Sequence, residues 1–170
     1  MKNEKLTADQ LRQALHYDGE TGVFTWKVWG GRGVSVGRRA GSHHNAGYWH
    51  IGIGGERYLA HRLAWLYVHG EWPLLEVDHI NGNKRDNRIA NLRLATRQQN
   101  GANRGANLNN KSGCRGVHWH PQSGRWRAEM KVARKSKHIG LFRTKEEASA
   151  AYQRAAAELF GQFAGGHNEG

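Results

Sequence analysis

The sequence has one cysteine, Cys114, two prolines and no long apolar run in its 170 residues. A lone cysteine excludes an internal disulfide framework and any multi-cysteine zinc site. No stretch approaches the roughly 18 apolar residues of a membrane-spanning helix. The opening MKNEKLTADQ lacks the apolar core of a signal peptide, so a soluble intracellular protein is expected. Acidic residues are scarce: 14 Asp+Glu stand against 26 Lys+Arg, a formal charge of +12. An excess of that size calls for a polyanionic partner, and without a membrane-seeking segment that partner is expected to be nucleic acid. The charge is spread along the chain, net +5 over residues 1–103 and +7 over 104–170. Apolar residues make up 38% and glycine contributes 23 positions, so the cores must be small, with seven Trp helping to fill them.

A turn-forming, almost non-apolar stretch, Asn103 to Gly113, separates two patterned regions and reads as a linker centred on 104–111. In the first region Thr7 and Gln10 have capping-box spacing, and Leu6 and Leu11 are placed as a hydrophobic staple. Asp18–Gly22 reads as a turn, Val23–Val28 and Tyr48–Ile53 as strands, and Gly30–Gly47 as a long loop. Helical spacing predicts a helix over Tyr58–His69 with Gly70 as its stop, then a short strand Leu74–Val77 leading into Asp78-His79. Thr96 and Gln99 start a second capped helix that carries Asn100. The second region predicts strands at Gly116–His120, Arg125–Val132 and Lys137–Phe142, then a helix Lys145–Phe160 capped by Thr144 and Glu147. Small side chains at Ala148, Ala151, Ala155 and Ala156 let that helix approach the sheet closely.

Residues 76–100 pack carboxylates, an imidazole and several carboxamides into a segment with few apolar positions. Carboxylate and amide oxygens are hard ligands that suit Mg²⁺ or Mn²⁺. Adjacent strand-end residues point to opposite sides, so Asp78 and His79 can serve two roles, metal ligand and base. A neutral imidazole has the pKa for general-base work near pH 7. These residues alone leave a DNA-binding protein of unspecified activity.

Taken together, Tyr58-Leu-Ala-His-Arg-Leu-Ala-Trp65, His69-Gly-Glu-Trp-Pro73, Val77-Asp-His-Ile-Asn-Gly-Asn-Lys-Arg-Asp-Asn-Arg88, Asn91-Leu-Arg93 and Asn100 resemble the HNH endonucleases, in their phage homing branch. Tyr17 to Trp26 resembles the usual lead-in, and the likeness covers roughly residues 11–103. The resemblance implies a ββα-metal site with Asp78 and Asn100 as metal ligands and His79 as general base. It implies that Asn91 accepts a hydrogen bond from the His79 ring and fixes its tautomer. His61 and Arg62 would make a structural or phosphate contact. An asparagine at position 100, where many members carry histidine, favours one Mg²⁺ or Mn²⁺ per site, and no zinc is expected. The implied reaction is in-line phosphodiester hydrolysis.

In Arg125–Val132 the residues alternate strictly, with Arg125, Arg127, Glu129 and Lys131 on one face and Trp126, Ala128, Met130 and Val132 on the other. A thin sheet with such a face can enter the major groove, where Arg and Lys read guanine and Glu accepts from cytosine. Arg115-Gly-Val117, Arg125 to Lys131, Ile139-Gly-Leu-Phe142, Thr144 to Ala148 and Ala151 to Ala156 resemble the Apetala-two/ethylene-response-factor domain. By that resemblance Arg115, His118, His120, Glu129, Lys131 and Tyr152 would contact DNA.

The expected fold class is therefore α+β, a ββα-metal nuclease module followed by a three-stranded antiparallel sheet packed on one helix. Its parts are an α/β lead-in at 1–57, a nuclease core at 58–103, a linker at 104–111 and a DNA-binding domain at 112–168. The expected partner is double-stranded DNA, bound by a monomer without excluding a dimer, in a bacterial host cytoplasm if phage-encoded. The competing expectations are a transcriptional regulator with a decayed nuclease and a structural nucleoid protein.

Overall fold

The computed structural model describes residues 6–29, 35–45, 47–105, 110–133 and 135–165. It divides into two compact units, 1–94 and 95–170.

The first unit begins with α1 (Ala8–Ala14), whose capping box forms as expected: Thr7 Oγ1 accepts from Gln10 N at 3.2 Å and Gln10 Oε1 accepts from Thr7 N at 3.0 Å. Leu6 and Leu11 are both in the core, as a staple requires. β1 (Leu15–Asp18) pairs antiparallel with β2 (Val23–Trp26) around the Asp18–Gly22 turn. The chain just before that turn reads as ordinary sequence, yet it forms a strand because Leu15 and Tyr17 both face the core. The expected loop beyond Trp26 falls partly outside the described residues, but within it Arg39 bridges to Thr25 and Ser42–His43 forms β3. β3, β4 (Trp49–Ile53) and β5 (Glu56–Leu59) make a second antiparallel sheet.

α2 (Ala60–His69) starts two residues later than its apolar spacing suggests, because Tyr58 and Leu59 pair with Ile51 and His50 in β5. Its C-terminus is closed by Gly70 in the left-handed region at φ 81°, which donates to Leu66 O at 2.9 Å. β6 (Glu76–His79) lies beyond the expected Leu74–Val77, since Leu74 is exposed while Val77, Asp78 and His79 are buried. It pairs with β7 (Leu92–Ala95), after a 3-10 turn at Ile89–Asn91. The core gathers Leu11, Leu15, Phe24, Ile51, Leu63 and Leu66.

The second unit opens with α3 (Arg97–Asn103), again with a complete capping box between Thr96 and Gln99. β8 (Val117–His120), β9 (Arg125–Val132) and β10 (Lys135–Phe142) form an antiparallel sheet in the order β10-β9-β8. α4 (Lys145–Phe160), capped by Thr144, lies on it through Ala148, Tyr152 and Ala156, over Val117, Ala128 and Met130. The alternation read along β9 holds: Ala128 and Met130 are buried while Arg125 and Lys131 are exposed. Among the described residues no helix is long and apolar enough to cross a membrane.

Candidate active site

Asp78 and His79 sit at the end of β6, both buried, His79 with 4% of its surface accessible. Two buried polar groups on a strand need partners close by, and the structure supplies a different set from the one expected. His79 Nε2 lies 3.1 Å from Asn87 Oδ1. A carboxamide oxygen accepts only, so Nε2 carries the hydrogen and Nδ1 becomes the basic nitrogen. Burial lowers the His79 pKa, against opposing pulls from Asn87, Asp78 and Asp86, which keeps the imidazole neutral.

Asn91 does not take the role expected for it. Its Oδ1 accepts from Asn81 N at 3.0 Å, and its Nδ2 donates to Asn81 Oδ1 at 3.0 Å and to Asp86 O at 2.8 Å. The reason is loop closure. Twelve residues separate His79 from β7, and their backbone polar groups must be satisfied without a sheet. Asn91 therefore staples the two ends of that loop, and Asn87, deeper in it, meets the ring. Asp86 completes the brace by pairing with Arg88 at 2.6 Å, and the Arg88 hydrogen bond holds its carboxyl down at about 2.

Asn87 is itself fixed from the N-terminal hairpin. Tyr17 donates its hydroxyl hydrogen to Asn87 O at 2.7 Å in a buried bond, and burial pushes its phenol up to about 12. At Gly22, φ 70°, a Cβ would meet the Asn87 and Arg88 backbone at 2.5 Å, so only glycine lets the β1–β2 turn press against this segment. The lead-in thus holds the residue that holds the imidazole.

Asp78 pairs with Arg93 on β7, whose Nε and Nη2 are each 2.9 Å from Oδ2. Arg93 carries no role in the motif pattern; its signal is a single cation inside the otherwise apolar Leu92-Arg-Leu94, opposite a buried carboxylate. His61 is expected from the resemblance to make a structural or phosphate contact. It lies at 5% accessibility, edge-on to His79 with ring centroids 4.9 Å apart, and its Nδ1 has no hydrogen-bond partner. Burial first, then the neighbouring His79, lowers its pKa to about 3. Tyr48 stacks obliquely at 5.3 Å from His61, and Lys84 lies 4.6 Å over the Tyr48 ring. Arg62 is placed 5.6 Å over the Trp72 ring.

Asn100 lies on α3, in the second unit. Among the described residues no group of three or more His, Cys, Asp or Glu is placed to hold a metal. Asp78 offers hard carboxylate oxygens, the donor type that Mg²⁺ and Mn²⁺ take.

Of the expected DNA contacts, His118, His120, Arg125, Arg127, Glu129 and Lys131 are together on the sheet face away from α4. Register places His118 beside Arg127 and His120 beside Arg125, and Arg127 pairs with Glu129 at 3.1 Å. Arg115 is turned elsewhere: its guanidinium donates to the carbonyls of Gly101, Ala102 and Arg104, the last turn of α3. Those carbonyls lack helical partners, and a guanidinium close by satisfies several at once. Tyr152 packs with the core, its ring wedged under Gly116, where a Cβ would meet it at 2.2 Å. A cleft of about 490 Å³ borders Arg104, Arg115, His118, Glu129, Lys131 and an edge of Tyr152.

At the end of β6 a buried imidazole with its Nε2–H engaged thus stands next to a buried carboxylate. Residues 58–102 match the HNH endonuclease family. The chain is 33% identical over 105 residues to protein 3.8 of Escherichia phage T7, across 61% of this chain and 86% of that one. It is also 37% identical over 106 residues to the uncharacterized HNH endonuclease L560 of Acanthamoeba polyphaga mimivirus, across 61% of this chain and about half (54%) of that relative's length. No solved structure matches the chain at a comparable level.

Proposed function

We propose that the protein is a metal-dependent DNA endonuclease, with a ββα-metal centre formed from residues 58–103 and a C-terminal sheet that selects the site. The observation that carries this reading is His79: a buried, neutral imidazole whose Nε2–H is engaged by Asn87, leaving the other ring nitrogen basic. In the proposed reaction that nitrogen takes the proton of the attacking water. Asp78 and Asn100 would hold one Mg²⁺ or Mn²⁺. When bound, such a cation would polarise a nonbridging phosphate oxygen and stabilise the leaving 3′-oxygen. His61 backs the base with a second neutral ring, Arg93 balances the Asp78 charge, and Asn91 keeps the loop closed. Arg62 is assigned a structural contact on Trp72.

His118, His120, Arg125, Arg127, Glu129 and Lys131 form the proposed reading face, with Arg and Lys directed to guanine and Glu to cytosine. Arg115 and Tyr152 support that module from within. The partner is double-stranded DNA, bound by a monomer, and phage and giant-virus relatives support action in a host cytoplasm.

Incubation with supercoiled plasmid tests the metal part. Cleavage should stop in EDTA and return with Mg²⁺ or Mn²⁺, and Asp78→Ala should need far more metal for the same rate. Cleavage that persists in chelator would overturn the metal assignment.

A further inference from the structure

The first unit carries a second cationic feature that the proposed centre does not use. A notch of about 130 Å³ opens on the β3–β4–β5 sheet, bordered by His43, His44, His50 and Arg57 with Gly41 and Gly52. Among the described residues no carboxylate borders it. His44 and His50 stack at 4.7 Å with rings 14° apart, and His43 rests edge-on against Trp49. The opening depends on glycine. At Gly41, φ 90°, a Cβ would come within 2.2 Å of His50 O and 2.6 Å of the Trp49 indole nitrogen.

We propose that this notch is a phosphodiester-binding subsite, seating a backbone phosphate of the same DNA strand that is presented to His79. The proposal rests on the nuclease reading above. Its chemistry is that of an anion seat: imidazole, hydroxyl and guanidinium groups border it, and a guanidinium fork matches phosphate oxygens. Burial first, then His44 and Arg57, lower the His50 pKa, so the fixed charge of the notch is the Arg57 guanidinium. Position argues for a DNA strand rather than free phosphate. His50 is near enough to His61 to bias its protonation, and His61 touches His79. Tyr48 lies 5.3 Å from His61 and 6.2 Å from His79, ring centre to ring centre, with Lys84 over its ring.

Binding of the full chain to a labelled duplex, measured in EDTA over a salt series, tests this without cleavage. Arg57→Ala should weaken binding to all sequences alike and make the salt dependence shallower, by about 0.9 log units per lost phosphate contact. The double variant His44→Gln/His50→Gln should weaken binding in the same sequence-independent way. Arg57→Lys, which keeps the charge, should retain the wild-type slope, and unchanged melting of all three guards against misfolding. With metal restored, Arg57→Ala should raise KM and leave kcat nearly unchanged. Wild-type affinity and slope in Arg57→Ala overturn the subsite, even where inorganic phosphate alone perturbs the His44 and His50 ring resonances. A wild-type chain that binds DNA with the predicted slope difference but never cuts it would instead overturn the nuclease reading and leave the subsite.

Discussion

His61 is a base kept from its proton by burial. Its pKa falls from the ordinary 6.5 to about 3 in the folded chain. Between those values the unfolded chain binds a proton that the folded chain refuses, so stability falls as pH drops through that window and is complete above it. The slope for one such group is about 1.4 kcal/mol per pH unit at its steepest. His61→Gln should flatten it, read by denaturant unfolding at a series of pH values between neutral and mildly acidic, and an unchanged acid slope would remove His61 from the account. The choice among asparagines belongs to this scale too. The family resemblance offers Asn91 as the partner of His79, carried over by motif position alone. Which of Asn81, Asn83, Asn87 and Asn91 meets the ring is decided by how the loop closes, and that depends on Tyr17 and Gly22, some seventy residues away in the chain.

Elements whose ends carry their own chemistry were legible. Three capping boxes, at Thr7, Thr96 and Thr144, form as their spacing indicates, and the alternation of β9 gives its two faces directly. The four-residue strands β1, β6 and β7 were not, or were displaced, since so short a segment has no period to read and takes its conformation from its partner. α3 shows the same dependence at its other end. It is seven residues long and has no basic side chain in its last turn, so its closing carbonyls rely on Arg115, thirteen residues beyond Ala102. Losing a charged donor to partly buried carbonyls costs about 1–3 kcal/mol. Arg115→Ala should therefore speed amide exchange in α3 by tenfold or more while leaving β9 protected. Equal protection in the variant would return Arg115 to the list of DNA contacts.

Over the whole molecule, two patterned regions with an asparagine-rich stretch between them were visible from composition. The division itself falls earlier, between Leu94 and Ala95. α3 groups with the second unit because Arg115 and the Gly165 N–H, 3.2 Å from Ala102 O, tie it there. A sequence reading assigns such a helix by the motif it carries, whereas packing assigns it by what satisfies its backbone. The charge of +12 makes DNA binding expected of nearly any fragment of this chain, so binding alone tests little. The central claim is that His79 performs the chemistry. It is tested most directly by comparing wild type and His79→Ala for Mg²⁺-dependent plasmid cleavage and, in EDTA, for duplex affinity. The account predicts a loss of cleavage of about 10²–10⁴-fold with affinity nearly unchanged. Cleavage at the wild-type rate in His79→Ala would contradict it.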